Sequence, residues 1–286
     1  MNVGVVGLGL IGGSLLRALR GVGFDVDPDV RSQAAADGFE VVDALDGLAG
    51  CDLVVVAVPP AAAGSVVEVV LAAAPDVVVA DTASVKRVVP AHERFVSAHP
   101  MAGAEGTGWP AGSAELLAGA TWAACPSGDE LEPLLRLGAA VDALGGSLVA
   151  CTPAEHDDAV ARVSHVPHVV AQALTALAPG GLPAALAGTA YRDMTRVARA
   201  DGALWSQILE ANREPCAAVL DELVERLAAQ RDSLRWAELP APPAPPEWRE
   251  EAIDGGWSGL LAHGREGRAV RRLRLDGGTL RAEVAR

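Results

Sequence analysis

Gly7-Leu8-Gly9-Leu10-Ile11-Gly12 constrains this chain more tightly than any other stretch of its sequence. The turn follows directly on the β-branched run Val3–Val6 and opens a helical pattern around Ile11–Arg20. A strand, a glycine turn and a helix in that order form a dinucleotide cradle. The glycines permit a tight turn and close pyrophosphate approach, and the helix N-terminus supplies amide donors. Gly7, Leu8, Gly9, Leu10, Ile11 and Gly12 are therefore the expected cofactor-binding turn. Asp25, at the end of the next expected strand (Gly21–Val26), is placed to accept hydrogen bonds from the adenosine ribose. An acid there repels a 2′-phosphate and favours NAD over NADP. Only 13 residues separate Gly12 from Asp25, against a usual spacing of about 20. The first helix or its return loop must be short, and Asp27 competes for the same role.

Further apolar runs at Leu53–Val58, Val77–Ala80, Phe95–Ala98 and Ser147–Ala150 read as strands. Pro28–Asp37, Ala61–Ala74 and Asp129–Leu144 read as helices. Such alternation predicts a parallel sheet covered on both faces. Thr152-Pro153-Ala154-Glu155 is a capping box with proline at the first helical position. Helical patterns then run to about Ala178, over Leu182–Ala200 and over Leu204–Ser233. Pro240-Ala-Pro-Pro-Ala-Pro-Pro246 reads as a stiff linker. The expected architecture is an α/β Rossmann-like N-terminal domain over residues 1–150 and an all-α domain suited to dimerisation over 151–235. A Pro-rich linker and short C-terminal extension follow over 236–286.

A formal charge of −14 argues against a nucleic-acid partner or an anionic membrane surface. No apolar run reaches membrane-spanning length, because Pro59, Pro60 and Glu68 break the longest. Cys51, Cys125, Cys151 and Cys216 are scattered, without the spacing of a zinc ribbon or a disulfide framework. That usage suits a reducing compartment, and with no basic leader the expected location is the cytoplasm.

Two polar clusters lie just beyond expected strand ends: Asp81-Thr-Ala-Ser-Val-Lys86 and His99-Pro-Met-Ala-Gly-Ala-Glu-Gly106. Ligands of open α/β sheets bind there, so Ser84, Lys86, His99 and Glu105 are expected beside the nicotinamide. A histidine at that place titrates near neutrality and can act as a general base, although a loop histidine capping local backbone has the same spacing. Lys86, the one lysine among 23 basic residues, taken alone would pass for a surface accident.

On the long helical stretch, His165 and His168 lie three apart with Pro167 between them, which should distort the helix. A metal site using both with Asp157 lacks any recognised ligand spacing and is set aside. Arg192, Arg196 and Arg199 are spaced as one cationic stripe, either an anion receptor or a set of intrahelical ion pairs with Asp193 and other acids. Arg265, Arg268, Arg271, Arg272 and Arg274 in the tail read as a solvated face rather than a binding patch.

Taken together, GLGLIGGSL (7–15), AVPP (57–60), DTASVK (81–86), HPMAGAEGTG (99–108), HD (156–157), SHVPH (164–168) and YRDMTRVARADGALW (191–205) resemble the prephenate dehydrogenase family of tyrosine biosynthesis. Its members use prephenate, arogenate or both. The resemblance implies a nucleotide-binding domain followed by a helical domain that forms a homodimer. His99 matches the family's catalytic histidine, which takes the proton of the ring hydroxyl, and Ser84 matches the serine that binds the same hydroxyl and orients the nicotinamide. His168 and Arg196 match residues holding the substrate's carboxylate and side chain. Glu105, Asp157, Asp193 and Trp205 match positions around the entrance, and Arg192 stands where the family tolerates another base. Val58 and Pro59 of AVPP fall on the cofactor side. The implied reaction passes hydride to NAD⁺ and loses the ring carboxylate as carbon dioxide, without a metal.

Two other readings compete. A β-hydroxyacid dehydrogenase looks for a catalytic lysine in its helical part, and no lysine follows Lys86. A non-catalytic NAD-binding regulator would leave Ser84, His99, His168 and Arg196 without a purpose. Prephenate is the first expected substrate, with arogenate as the alternative.

Overall fold

A computed structural model describes residues 1–126, 128–233 and 244–286. In chain order its elements are β1 (Val3–Val6), α1 (Leu10–Leu19), β2 (Val22–Phe24), α2 (Pro28–Ala36), β3 (Glu40–Val41), β4 (Leu53–Val56), α3 (Pro60–Ala73) and β5 (Val78–Asp81). Then come β6 (Phe95–Pro100), β7 (Thr121–Cys125), α4 (Glu132–Ala143), β8 (Ser147–Ala150) and α5 (Pro153–Val160). The helical run continues with α6 (Val166–Ala176), α7 (Gly181–Ala185), α8 (Thr189–Thr195), α9 (Gly202–Ala211) and α10 (Arg213–Ser233). The chain ends in β9 (Trp248–Ile253), α11 (Trp257–Arg265), β10 (Val270–Asp276) and β11 (Thr279–Ala285). Two compact units result: Met1–His156 with Pro246–Arg286, and Asp157–Pro245.

The first unit is built on one sheet of order β3-β2-β1-β4-β5-β6-β7-β8-β10-β11-β9. Alternate residues of its central strands enter different cores: Val3, Val5, Leu53 and Val55 join one cluster, Val6, Val54 and Val56 the other. A strand buried on both faces in this way carries a continuous apolar run, as the sequence predicts.

The expected parallel sheet is present, with one reversal beyond it. The strands from β3 to β6 are parallel, but β7 runs antiparallel to β6. No crossover helix joins β6 to β7, only a loop with a short 3₁₀ turn at Trp109–Ala111, so the chain returns alongside itself. Helix α4 then carries the chain across to β8, which is parallel to β7. The strand reading passed over β7, whose Thr-Trp-Ala-Ala-Cys sequence is short and rich in alanine.

The C-terminal extension carries a short helix and three strands that continue the sheet. Strand β10 pairs with β8 at Val270↔Leu148, and β11 and β9 continue the sheet antiparallel. The tail arginines are engaged in ion pairs: Arg265 with Glu155, Arg268 with Glu266, Arg271 and Arg272 with Glu283, and Arg274 with Glu250. A solvated, self-neutralised face accounts for them. Of the linker expected at 240–246, residues 240–243 lie outside the described residues.

In the second unit the distortion expected around Pro167 takes a definite form. Ala161–His165 is a π-helical turn between α5 and α6, one turn upstream of the proline that has no N–H to donate.

Candidate active site

The glycine turn lies between β1 and α1. Gly7 has φ +88°, and a Cβ there would stand 2.6 Å from the Ala57 carbonyl oxygen. A Cβ on Gly12 would stand 1.8 Å from the Gly7 carbonyl oxygen, so only glycine closes this turn. At Gly9, which caps α1, an added Cβ meets nothing within 4 Å. The open backbone and amide ends at that point are what a pyrophosphate needs. Val58 borders the same turn, its Cγ1 lying 2.8 Å from the Cβ position of Gly7. Pro59 caps α3.

The short approach to Asp25 is explained by the return from α1. Arg20 ends the helix in the left-handed conformation (φ 54°), and β2 starts two residues later. Gly21 makes this possible, since a Cβ there would lie 1.9 Å from the Val3 carbonyl oxygen. Asp25 thus reaches the glycine turn: its Oδ2 accepts from Leu8 N–H at 2.7 Å and its Oδ1 from Asp27 N–H at 2.9 Å. Asp27 is engaged elsewhere, capping α2 through Asp29 N–H at 2.9 Å. Of the two acids, Asp25 is the one beside the cradle.

The polar cluster after β5 is organised from inside. Lys86 and Asp81 are both fully buried and paired at 2.7 Å. Ala98 donates its N–H to Asp81 Oδ1 (2.9 Å) and accepts from Lys86 Nζ at its carbonyl (2.6 Å). Lys86 is no surface accident; it is an internal clamp on the residue before His99. Ser84, half-buried, sits on the loop between the two clamp residues, and Glu105 lies exposed on the loop after β6.

His99 near the end of β6 has its Nδ1 2.9 Å from Nε2 of His156, a residue 2 % exposed in the first turns of α5. The capping box fixes that helix start: Glu155 accepts from Thr152 N–H at 2.8 Å, and Thr152 Oγ1 accepts from Glu155 N–H at 3.2 Å. The Thr152 bonds and Arg265 hold Glu155 well below the usual carboxylate range, at about 2. Sequence reasoning gave His156 no role. The capping box set its helix, but nothing in periodicity signals a partner 57 residues away.

In the second unit, His168 and Trp205 stack with centroids 3.5 Å apart, and His165 meets the same indole edge-on at 6.0 Å. His168 Nδ1 is 2.8 Å from the Ser164 carbonyl. A carbonyl only accepts, so Nδ1 carries the proton and Nε2 of the neutral ring is an acceptor. Burial pushes the His168 imidazole down, the Ser164 bond partly opposes this, and the Arg196 cation pushes it further down. His168, Trp205 and Arg196 are therefore brought together. The continuous arginine stripe is not formed: α8 ends at Thr195, Arg196–Arg199 is a 3₁₀ turn, and Arg192 turns back to donate to the Ala187 carbonyl. Asn212, another residue missed in the sequence, donates to the Asp157 carbonyl (2.8 Å) and lies 3.0 Å from His165 Nδ1.

Two family models match the chain: "Prephenate dehydrogenase, nucleotide-binding domain" over residues 17–150 and "Prephenate dehydrogenase, dimerization domain" over 152–239. A cyclohexadienyl dehydrogenase from Zymomonas mobilis is 31% identical over 262 residues, covering 82% of this chain and 88% of the relative. Among solved structures, a Corynebacterium glutamicum protein described as a candidate prephenate dehydrogenase is 33% identical with a TM-score of 0.76, covering 84% of each chain. Prephenate dehydrogenase from Aquifex aeolicus, solved with hydroxyphenyl propionate and NAD⁺, is 25% identical with a TM-score of 0.71, covering 82% of this chain and 90% of that one.

Proposed function

Because this chain belongs to the prephenate dehydrogenase family, we propose that it carries out the NAD-dependent oxidative decarboxylation of prephenate to 4-hydroxyphenylpyruvate. The observation that carries this reading is the His99–His156 pair at the end of β6. With Nδ1–H donating to His156 Nε2, His99 presents Nε2 as the base for the proton of the substrate's ring hydroxyl. Ser84 hydrogen-bonds that hydroxyl and orients the nicotinamide. Arg196 holds a carboxylate, for which a guanidinium fork is suited, and Trp205 holds the His168 ring. Glu105 and Arg192 complete the substrate-binding set.

The cradle fits a dinucleotide: Gly9 leaves open space for the pyrophosphate, and the Asp25 carboxylate stands beside Leu8 for the ribose. Gly7 to Gly12, Asp25, Val58, Pro59 and Ser84 are the residues that would hold NAD⁺. When bound, NAD⁺ supplies the hydride acceptor. His99 removes the hydroxyl proton, and loss of the ring carboxylate as carbon dioxide restores aromaticity. Carbon dioxide and NADH released one for one from prephenate test the reading; NADH without carbon dioxide would refute it.

One observation favours arogenate as a second substrate. Neutral His168 offers an acceptor at Nε2, which suits the ammonium group of arogenate better than the keto group of prephenate. Parallel assays with both substrates decide their ranking.

The helical unit is proposed to form the homodimer. It carries a groove of about 510 Å³ in which Val170, Met194, Val197, Val219 and Leu223 are bordered by Arg162, Asp193, Glu222 and Arg226, and a second copy of the chain would cover its apolar part. No helix among the described residues is long and apolar enough to cross a membrane. With no disulfide among the described residues, a cytoplasmic location is the reading adopted.

A further inference from the structure

Cys125 and Cys151 are 26 residues apart in sequence, yet their sulfurs lie 3.8 Å apart. Cys125 ends β7, and Cys151 follows β8 immediately. The parallel register sets Ala124 opposite Ala150, and Cys151 N–H donates to the Ala124 carbonyl at 3.1 Å, which places the two cysteines side by side. Neighbouring strands stand about 4.8 Å apart, inside the range of about 4.4–6.8 Å between the α-carbons of disulfide-linked cysteines. Sulfurs in contact need only close to about 2.0 Å. Cys125 is fully buried and Cys151 is partly exposed.

We propose that Cys125 and Cys151 form a dithiol modification site that a hydroperoxide converts to a disulfide, and that the new bond slows the dehydrogenase. Cys151, the accessible member, reacts first: its sulfur attacks the peroxide, the O–O bond breaks, and a sulfenic acid and water form. The Cys125 sulfur then attacks that of Cys151. The S–O bond breaks, and the departing hydroxide leaves as water with the Cys125 thiol proton. Two thiols and one hydrogen peroxide give one disulfide and two waters. The contact with Cys151 and burial both hold the Cys125 thiol well above its ordinary range, so Cys125 is protected from direct attack and serves as the resolving partner.

The link reaches the base from both sides. Cys125 pairs in register with Ser97, two residues before His99 on β6. Cys151 precedes Thr152, whose capping box starts the helix that carries His156 to 2.9 Å from His99. Drawing the sulfurs together shifts β7 and the start of α5 against each other and disturbs the histidine pair. A disulfide in a reducing compartment is of the transient, sensing kind.

The experiment treats the full chain, loaded with NAD⁺, with stoichiometric hydrogen peroxide. It follows the 125–151 cross-linked peptide by non-reducing mass spectrometry alongside NADH formation from prephenate. The expected result is the linked peptide, a loss of turnover of at least fivefold, and recovery of both with dithiothreitol. Cys151→Ser and Cys125→Ser should each prevent the link and resist that loss, whereas a Cys51→Ser/Cys216→Ser variant should behave as the parent. Activity loss that persists in Cys151→Ser, or a linked peptide without activity loss, overturns the coupling. Failure to form the linked peptide overturns the site itself. The activity readout rests on the function proposed above; the peptide readout does not, so the two readings fail separately.

Discussion

Lys86 Nζ lies 2.7 Å from Asp81 Oδ2 and 2.6 Å from the Ala98 carbonyl oxygen, so one buried ion pair grips the residue that precedes His99. The pair joins the end of β5 to the loop that follows it and has no exposure to solvent at either side chain. Lys86→Met leaves the Asp81 carboxylate buried without its cation. Removing one partner of a buried pair typically costs about 3–5 kcal/mol. Urea denaturation should show a loss of that size, and Lys86→Met/Asp81→Asn should recover part of it. Wild-type stability in the single variant would remove the clamp from the account.

His156 is expected to set the orientation of His99. His156→Leu removes one hydrogen bond, worth about 1–1.5 kcal/mol, and should lower kcat roughly tenfold. His156→Gln, which keeps a polar atom near the Nε2 position, should retain more activity, and NAD⁺ affinity should be unchanged in both. Equal loss of NAD⁺ binding would instead indicate a general structural defect.

Asp25 bridges Leu8 and Asp27 at the cradle. Asp25→Ala should weaken NAD⁺ binding about tenfold, the scale of one charge-assisted hydrogen bond, and narrow the preference over NADP⁺. Calorimetric titration with each nucleotide reads both effects. An unchanged ratio of the two affinities would return the specificity to another residue.

The His168 imidazole is pushed down by burial and by Arg196. Arg196→Gln should raise its pKa, seen in imidazole NMR shifts across a pH titration, while KM for prephenate rises roughly tenfold or more as a charged hydrogen bond is lost. The sign for stability follows from the same shift. The unfolded chain binds the His168 proton more readily than the folded one, so this group's contribution is complete above the unfolded value of about 6.5. It is lost as pH falls from there through the lowered folded value. A downward NMR shift in Arg196→Gln would contradict the assignment.

Much of this was legible in the residues. Glycines at 7, 9 and 12 after a β-branched run announce the cradle, and Thr152 with Glu155 announces the helix start, because both are local patterns with local causes. Pro167 announced the distortion, although the sequence does not say that it becomes a π turn upstream. What escaped depends on pairing over distance. The meeting of Cys125 with Cys151 follows from strand register, while the burial of Lys86 and the His99–His156 contact depend on how the loop after β5 and helix α5 meet β6. β7, too short and alanine-rich to announce itself, is the strand that sets much of that register.

The most direct test of the account is NADH formation from prephenate by the wild-type chain and by His99→Asn, with NAD⁺ affinity measured for both. The account predicts turnover by the wild type and a loss of at least about 100-fold in the variant, the lower range for a missing general base, at unchanged NAD⁺ affinity. Comparable turnover by the two proteins, or NAD⁺ binding without turnover of prephenate or arogenate by the wild type, would contradict it.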